Sequence, residues 1–384
     1  MQKSLGKSII QNKYKYSFYV LFLLLALGQV VGIKLNVGHL YAYDIFAIVL
    51  ALTILLHHSL NNALRGFTLF IGVAIISLVA NYQIYTRNEL LFSAFYLIRY
   101  VAYLVLANFF ILKLELNTIN RGIKVFAYML VLTGILQLIF LPNLSTLDSS
   151  LGWDPHINRL SGALLDPNFM GAALGIILIY LVFEQISRVE LGLISGAIIL
   201  TFSRSAWLLL STWALFYGIL KNVKIIFLAI LIAFLAYFAV PRIQTRLSTI
   251  TDPADSAQYR LESWAKAINI AKDRPFVGYG FNGYRFIQKE YGYLEPGTLG
   301  DNDSGGSDAS LLLVLATTGI IGLLSLIYGY TNAISSSKNR LVIFIITSAL
   351  IINSFFINSL FYPQIMFVYF LLVGLLEKEK VRKI

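Results

Sequence analysis

Residues 223–240 read VKIIFLAILIAFLAYFAV. After Lys224 the run carries no charge, and its 18 residues are enough for a helix to cross a bilayer core. Working outward, further apolar runs lie at 17–34, 40–57, 64–81, 89–112, 122–141, 166–183, 190–203, 205–220, 309–333, 341–359 and 361–376. The 384-residue chain is 58% hydrophobic and 13% charged, with a mean hydropathy of +0.75. A soluble domain carries about 25% charged residues, so this chain has too little polar surface to cover a soluble fold. The same numbers exclude disorder, collagen-like repeats and a small disulfide-stapled domain. With no cysteine there is no disulfide, thiolate metal site or thiol nucleophile. The sequence predicts an all-α integral membrane protein of about 12 transmembrane helices with a large, partly helical outer loop.

Four lysines precede the first run, and no small-residue cleavage site follows it, so it reads as a retained span. Placing the N-terminus in the cytoplasm puts seventeen Lys/Arg in cytoplasmic segments and four in the short outer ones. The positive-inside bias therefore puts both termini in the cytoplasm. Seventeen basic against five acidic residues give that side +12, the outer segments hold −2 and Arg99 adds +1, so the +11 formal charge is almost wholly the positive-inside bias and carries no nucleic-acid signal. Four parts follow: N-terminal helices over 1–141, central helices and an outer segment (142–165) over 142–240, an outer loop over 241–308, and C-terminal helices and tail over 309–384.

Residues 190–220 are too few for two full crossings and read as a short hairpin with Ser203-Arg204-Ser205 at its tip. In the outer loop, Asp252-Pro253-Ala254-Asp255 reads as a helix start. Leu261, Trp264, Ala265, Ile268 and Ala271 follow with helical spacing, which predicts an amphipathic helix against the membrane or other spans. Asp273-Arg274-Pro275 should end it.

Few patterns suit chemistry. No two of His39, His57, His58 and His156 have metal-ligand spacing. Asp301-x-Asp303 with Asp308 lacks the glycine and glutamate of a calcium loop, so no metal site is expected. No Gly-x-Ser-x-Gly occurs, and Gly278-x-Gly280-x-x-Gly283 follows no strand and reads as turn chemistry. Arginines are more informative. Arg99 interrupts an apolar span, either for function or paired for packing with Asp44 or a backbone carbonyl. Arg204 sits at the hairpin tip, and Arg260 and Trp264 lie one turn apart on one helix face. With Arg159 and Arg285 these outer arginines suit an anionic lipid phosphate, because guanidinium offers paired donors and keeps its charge. The aromatic run 276–293, Tyr279 included, suits sugar stacking or a membrane-interface belt.

Four segments, in order, resemble the O-antigen ligase and O-antigen polymerase (Wzy-type) family. Ser161–Gly171, with Asp166-Pro167-Asn168, resembles its Gly-x-x-x-(Asp/Asn)-Pro-Asn segment opening a span. Thr201-Phe202-Ser203-Arg204-Ser205-Ala206-Trp207 is similar to its Ser-Arg motif. Arg260-x3-Trp264 with Pro275-x-x-Gly278-x-Gly280 resembles the start of its large loop, and Leu312-x6-Gly319-x-x-Gly322 the helix leaving it. The resemblance implies a bacterial inner-membrane enzyme that transfers glycan, with inversion, from an undecaprenyl-diphosphate-linked oligosaccharide on the outer face. It implies no cofactor, no nucleotide sugar and no essential metal. Membrane lipids and a chain-length regulator are the further partners to expect. Arg204 and Arg260 would hold the diphosphate, with Arg159, Asp166, Asn168, Arg99, Trp264, Tyr279 and Arg285 around the substrate. Many ligases place a histidine eleven residues before the glycine matched by Gly319; here that position is Asp308, either a base or a helix cap. The missing histidine favours a polymerase of lipid-linked repeat units over a ligase, and a lipid-linked sugar transporter is the reading from another class.

Overall fold

The structure, a computed structural model, describes residues 2–34, 39–54, 59–147, 156–248, 256–295, 297–300 and 303–378. The described residues are mainly helical, with one small ribbon and an isolated bridge between Asn143 and Ile157. Its first half holds α1 (Gln2–Leu27), β1 (Gly32–Lys34), β2 (His39–Tyr41), α2 (Ala42–Ile54), α3 (Asn62–Arg65), α4 (Phe67–Ala80), α5 (Arg87–Lys113), α6 (Leu116–Phe140) and α7 (Pro167–Phe183). Next come α8 (Arg188–Leu200), α9 (Arg204–Leu220), α10 (Lys224–Ala239), α11 (Pro241–Ser248), α12 (Ser256–Asp273) and α13 (Tyr284–Glu290). Last are α14 (Ser310–Ser336), α15 (Arg340–Asn353) and α16 (Pro363–Lys378). The antiparallel ribbon, with Gly32 opposite Tyr41, is not legible in the hydropathy.

Twelve helices of bilayer length are not shown among the described residues. Among the described residues four helices are long and apolar enough to cross a membrane: Asn62–Ala80, Arg87–Lys113, Leu116–Phe140 and Ser310–Ser336. The pair α10 and α11, bent by 100° at its break, makes a fifth if taken as one span. Other apolar runs form shorter helices, such as Ala42–Ile54, Pro167–Phe183 and Arg340–Asn353. Their starts explain part of this: Asp166-Pro167 and Tyr362-Pro363 admit a helix only from the proline onward. The Asp252–Asp255 helix start and the pair His57 and His58 lie outside the described residues.

Helix ends follow local chemistry. Thr86 with Glu89 and Ser187 with Glu190 form capping boxes for α5 and α8. The 190–220 segment forms two short helices, α8 and α9, joined at Thr201–Ser203, with Ser203 capping α9. Helix α12 ends at Asp273, where Arg274-Pro275 stops it. Its buried face follows the predicted stripe only at Ala271. Ala267, Ile270 and Ala271 turn into the protein, whereas Leu261 and Ile268 are exposed. Apolar spacing alone does not say whether a face meets protein or lipid.

Helices α7 and α16 are buried nearly all round and form the centre of the bundle. By contrast α10 has no buried residue, and Phe227 is 67% exposed. An apolar helix this exposed is stable only in apolar surroundings. Connecting segments collect at two ends. At one, Gln29 Nε2 donates to the Leu164 carbonyl, Leu160 N to Leu200 and Ser310 N to Ser354. At the other, the Glu377 carboxylate accepts from the amides of Asn62 and Ala63, Lys378 Nζ donates to the Ile111 carbonyl, and Lys124 pairs with Glu190 at 3.1 Å.

The first end carries a backbone crossing that needs glycine. Helix α14 breaks at Gly319, whose φ is +66°, and the turn segment 275–280 lies in the break. Tyr279 N and Gly280 N donate to the carbonyls of Ala316 and Thr317, and Ile320 N donates to Pro275. A Cβ on Gly319 would stand 2.2 Å from the Phe276 carbonyl carbon. Gly319→Ala is therefore expected to lower the thermal unfolding midpoint of the detergent-solubilised protein, by at least the roughly 1–2 kcal/mol of left-handed strain. An unchanged midpoint would show that the crossing is not structural.

Candidate functional site

Two recesses open at this end. The larger, a cleft of about 510 Å³, is lined by Arg204, Ser205, Trp207, Leu208, Ser211, Leu247, Arg260, Leu261, Trp264 and Phe356. Local folding brings its two arginines together. Ser203 caps α9, so Arg204 is the first residue of that helix, and its Nη1 donates to the Arg246 carbonyl at 3.2 Å. Arg260 leaves α12 one turn before Trp264, and its Nε donates to the Phe356 carbonyl at 3.1 Å. The rest of the lining is mostly apolar. Two cations against an apolar wall match an amphipathic ligand with an anionic head.

Behind the cleft lies a buried polar layer. Arg159 is 7% exposed. It donates to the Thr201 carbonyl at 2.8 Å, to Asn168 Oδ1 at 3.0 Å and to His156 Nδ1 at 3.3 Å. Ser203 Oγ donates to the same Asn168 oxygen at 2.9 Å and lies 3.0 Å from Ser205 Oγ. Burial holds the Arg159 guanidinium down to about 9, with Arg246, Arg242 and Arg260 adding like charge against the opposing pull of Asp166. It thus remains charged at neutral pH within a field of several arginines. Burial likewise pushes His156 down to about 4; Arg159 and Arg246 push the same way and Asp166 opposes. The ring is therefore neutral at neutral pH, as acceptance of an Arg159 N–H requires.

The smaller recess, about 200 Å³, is lined by Asn358, two residues along the chain from Phe356 of the cleft. Arg99, Asp166 and Arg285 line it, with the aromatic rings of Tyr41, Tyr96, Phe169 and Tyr362. Arg99 takes the paired alternative: Nη1 lies 3.2 Å from Asp44 Oδ2, and the guanidinium sits 4.1 Å over the Tyr96 ring. Arg285 is buried and donates to the Leu299 carbonyl. Asp166 caps α7, its Oδ1 accepting from Asn168 N at 2.6 Å and from Phe169 N at 3.4 Å.

The candidates thus divide. Arg204, Arg260 and Trp264 share the cleft, Asp166, Arg99 and Arg285 share the cavity, and Arg159 and Asn168 join the two from behind. Tyr279 lies in neither lining; its hydroxyl meets that of Tyr291 at 2.9 Å and Arg274 sits over its ring. Asp308 is also outside both linings, exposed, with φ +52°, and Ala309 rather than Asp308 holds the N-cap position of α14. Sequence reading missed Arg242 and Arg246 as part of the charge cluster. Their spacing of four on α11, after Pro241, places both on one helix face. Among the described residues no three His, Cys, Asp or Glu side chains converge as metal ligands.

Several bilayer-length apolar helices, and a bare apolar helix at the periphery, define a multi-pass helical membrane protein. Residues 191–327 match the sequence model of the family described as O-antigen ligase. Over that segment, about a third of the chain, the sequence is similar to the O-antigen ligase family, whose members are membrane enzymes that transfer lipid-linked glycans. The matched segment runs from α8 into α14 and includes Arg204, Arg260 and Trp264. No curated protein matches the chain.

Proposed function

We propose that this chain polymerises undecaprenyl-diphosphate-linked oligosaccharide repeat units, for O-antigen, capsule or exopolysaccharide, at the outer face of a bacterial cytoplasmic membrane. The observation that carries the reading is the cleft that sets Arg204 and Arg260 against an apolar wall. The diphosphate lies between the two guanidiniums and the polyprenyl chain follows Trp207, Leu208, Leu247 and Leu261 toward the lipid. An acceptor hydroxyl attacks the anomeric carbon as its bond to the diphosphate oxygen breaks, and the configuration inverts. Negative charge grows on the departing diphosphate, and fixed cations there stabilise the transition state more than the ground state.

The family description favours a second reading, a ligase moving the finished glycan to lipid A–core or to a protein. One experiment separates them. Purified protein is incubated with lipid-linked repeat units alone, and then with a competing lipid A–core acceptor. A ladder of glycans spaced by one repeat supports the polymerase. Transfer only to the competing acceptor supports the ligase, and neither product overturns both.

A further inference from the structure

We infer that the smaller cavity binds the acceptor sugar and that Asp166 takes the proton from its attacking hydroxyl. This rests on the reading of the cleft as the lipid-diphosphate site. The cavity is small enough to suit a sugar ring rather than a polyprenyl chain, and its lining mixes aromatic faces with Gln29, Asn282, Asn358 and Tyr362 as hydrogen-bonding groups. Among the described residues Asp166 is the only carboxylate that lines either recess. Its Oδ1 takes both amides of the helix cap, whereas Oδ2 accepts no hydrogen bond from a described residue. The cap therefore fixes the carboxylate and leaves one oxygen for a ligand.

Asp166 is also wired to the cleft. Its Oδ1 holds the Asn168 amide, Asn168 Oδ1 accepts from Ser203 Oγ, and Ser203 Oγ lies 3.0 Å from Ser205 Oγ, which lines the cleft. Arg159, His156 and Tyr362 all feel the charge of Asp166. The step balances. The acceptor oxygen forms its bond to the anomeric carbon, the carbon–oxygen bond to the diphosphate breaks with its electron pair leaving on phosphate oxygen, and the hydroxyl proton passes to Asp166. His39, the other base in the lining, stacks on Tyr41 at a ring separation of 5.9 Å and has no part in this hydrogen-bond chain. Asp308 lines neither recess.

The test separates a base from a cap, because asparagine caps a helix as well as aspartate does and glutamate does not. With full-length protein in detergent, a lipid-linked repeat-unit donor and a soluble repeat-unit oligosaccharide as acceptor, Asp166→Asn is expected to lose about 100-fold or more in kcat. Its donor KM should change by less than about twofold, since Asp166 does not line the cleft assigned to the donor head. Asp166→Glu should be the more active of the two. Asn358→Ala should raise the acceptor KM by roughly two- to tenfold, the worth of one hydrogen bond. Asparagine activity equal to wild type or above glutamate overturns the proposal. So does loss of turnover in Asp308→Asn or His39→Gln with Asp166→Asn still active. Binding of undecaprenyl diphosphate alone keeps the two readings apart. If Arg204→Ala and Arg260→Ala bind it as wild type does, the cleft reading fails. If they do not, and Asp166→Asn is fully active, only the acceptor proposal fails.

Discussion

Arg260→Ala and Arg204→Ala should each lower glycan transfer by about 100- to 1,000-fold, the usual cost of removing one fixed donor from a developing oxyanion. Both guanidiniums line one cleft, and each is anchored on a main-chain carbonyl, Phe356 for Arg260 and Arg246 for Arg204. Anchoring matters because a donor already held in place spends no reorganisation energy as the diphosphate leaves. The double variant should be little worse than the poorer single one, since residues that act on the same charge are not additive. Lysine should rescue only in part, because it keeps the charge and loses the planar fork. Initial rates with a lipid-linked donor, alongside unfolding midpoints for the same proteins, make the measurement. Full activity in either alanine variant removes the lipid-diphosphate reading. A lost rate with a collapsed midpoint assigns that arginine to stability instead.

Local chemistry makes parts of this site legible in the sequence. Asp166-Pro167 announces the cap and first residue of α7, Ser203 announces the start of α9, and Arg274-Pro275 the end of α12. These signals depend on a few neighbouring residues. What escapes depends on distant ones. Nothing within 275–280 says that it lies in the break of α14, although Gly278 and Gly319 both have left-handed φ there. Nothing near Gln137 says that its side-chain oxygen takes the amides of Ser161 and Gly162, placing the segment that leads to Asp166. The two-recess arrangement draws on residues from Gln29 to Met366, and no short motif encodes it. Hydropathy marks apolar runs but not the length of helix each one yields, which is why α2, α8 and α15 fall short of full spans.

The buried pair of Asp44 and Arg99 decides between packing and chemistry at the second recess. Asp44 is fully buried; its Oδ2 faces Arg99 Nη1 at 3.2 Å, and its Oδ1 accepts from Tyr103 at 3.1 Å. Asp44→Ala should destabilise the protein by about 3–5 kcal/mol, because it strands a nearly buried guanidinium without its carboxylate. Arg99→Met should cost a similar amount through the stranded carboxylate. The double variant Asp44→Leu with Arg99→Met should recover much of that loss, since replacing a buried pair by apolar side chains is often neutral. Its activity is then the informative number. Arg99 lines the cavity assigned to the acceptor sugar, so a well-folded double variant with a raised acceptor KM places Arg99 in contact with substrate. Wild-type kinetics in that variant would make the pair a packing device that tethers α2 to α5. A double variant no more stable than Asp44→Ala would show that the cost lies in the packing around Tyr103 rather than in the stranded charge.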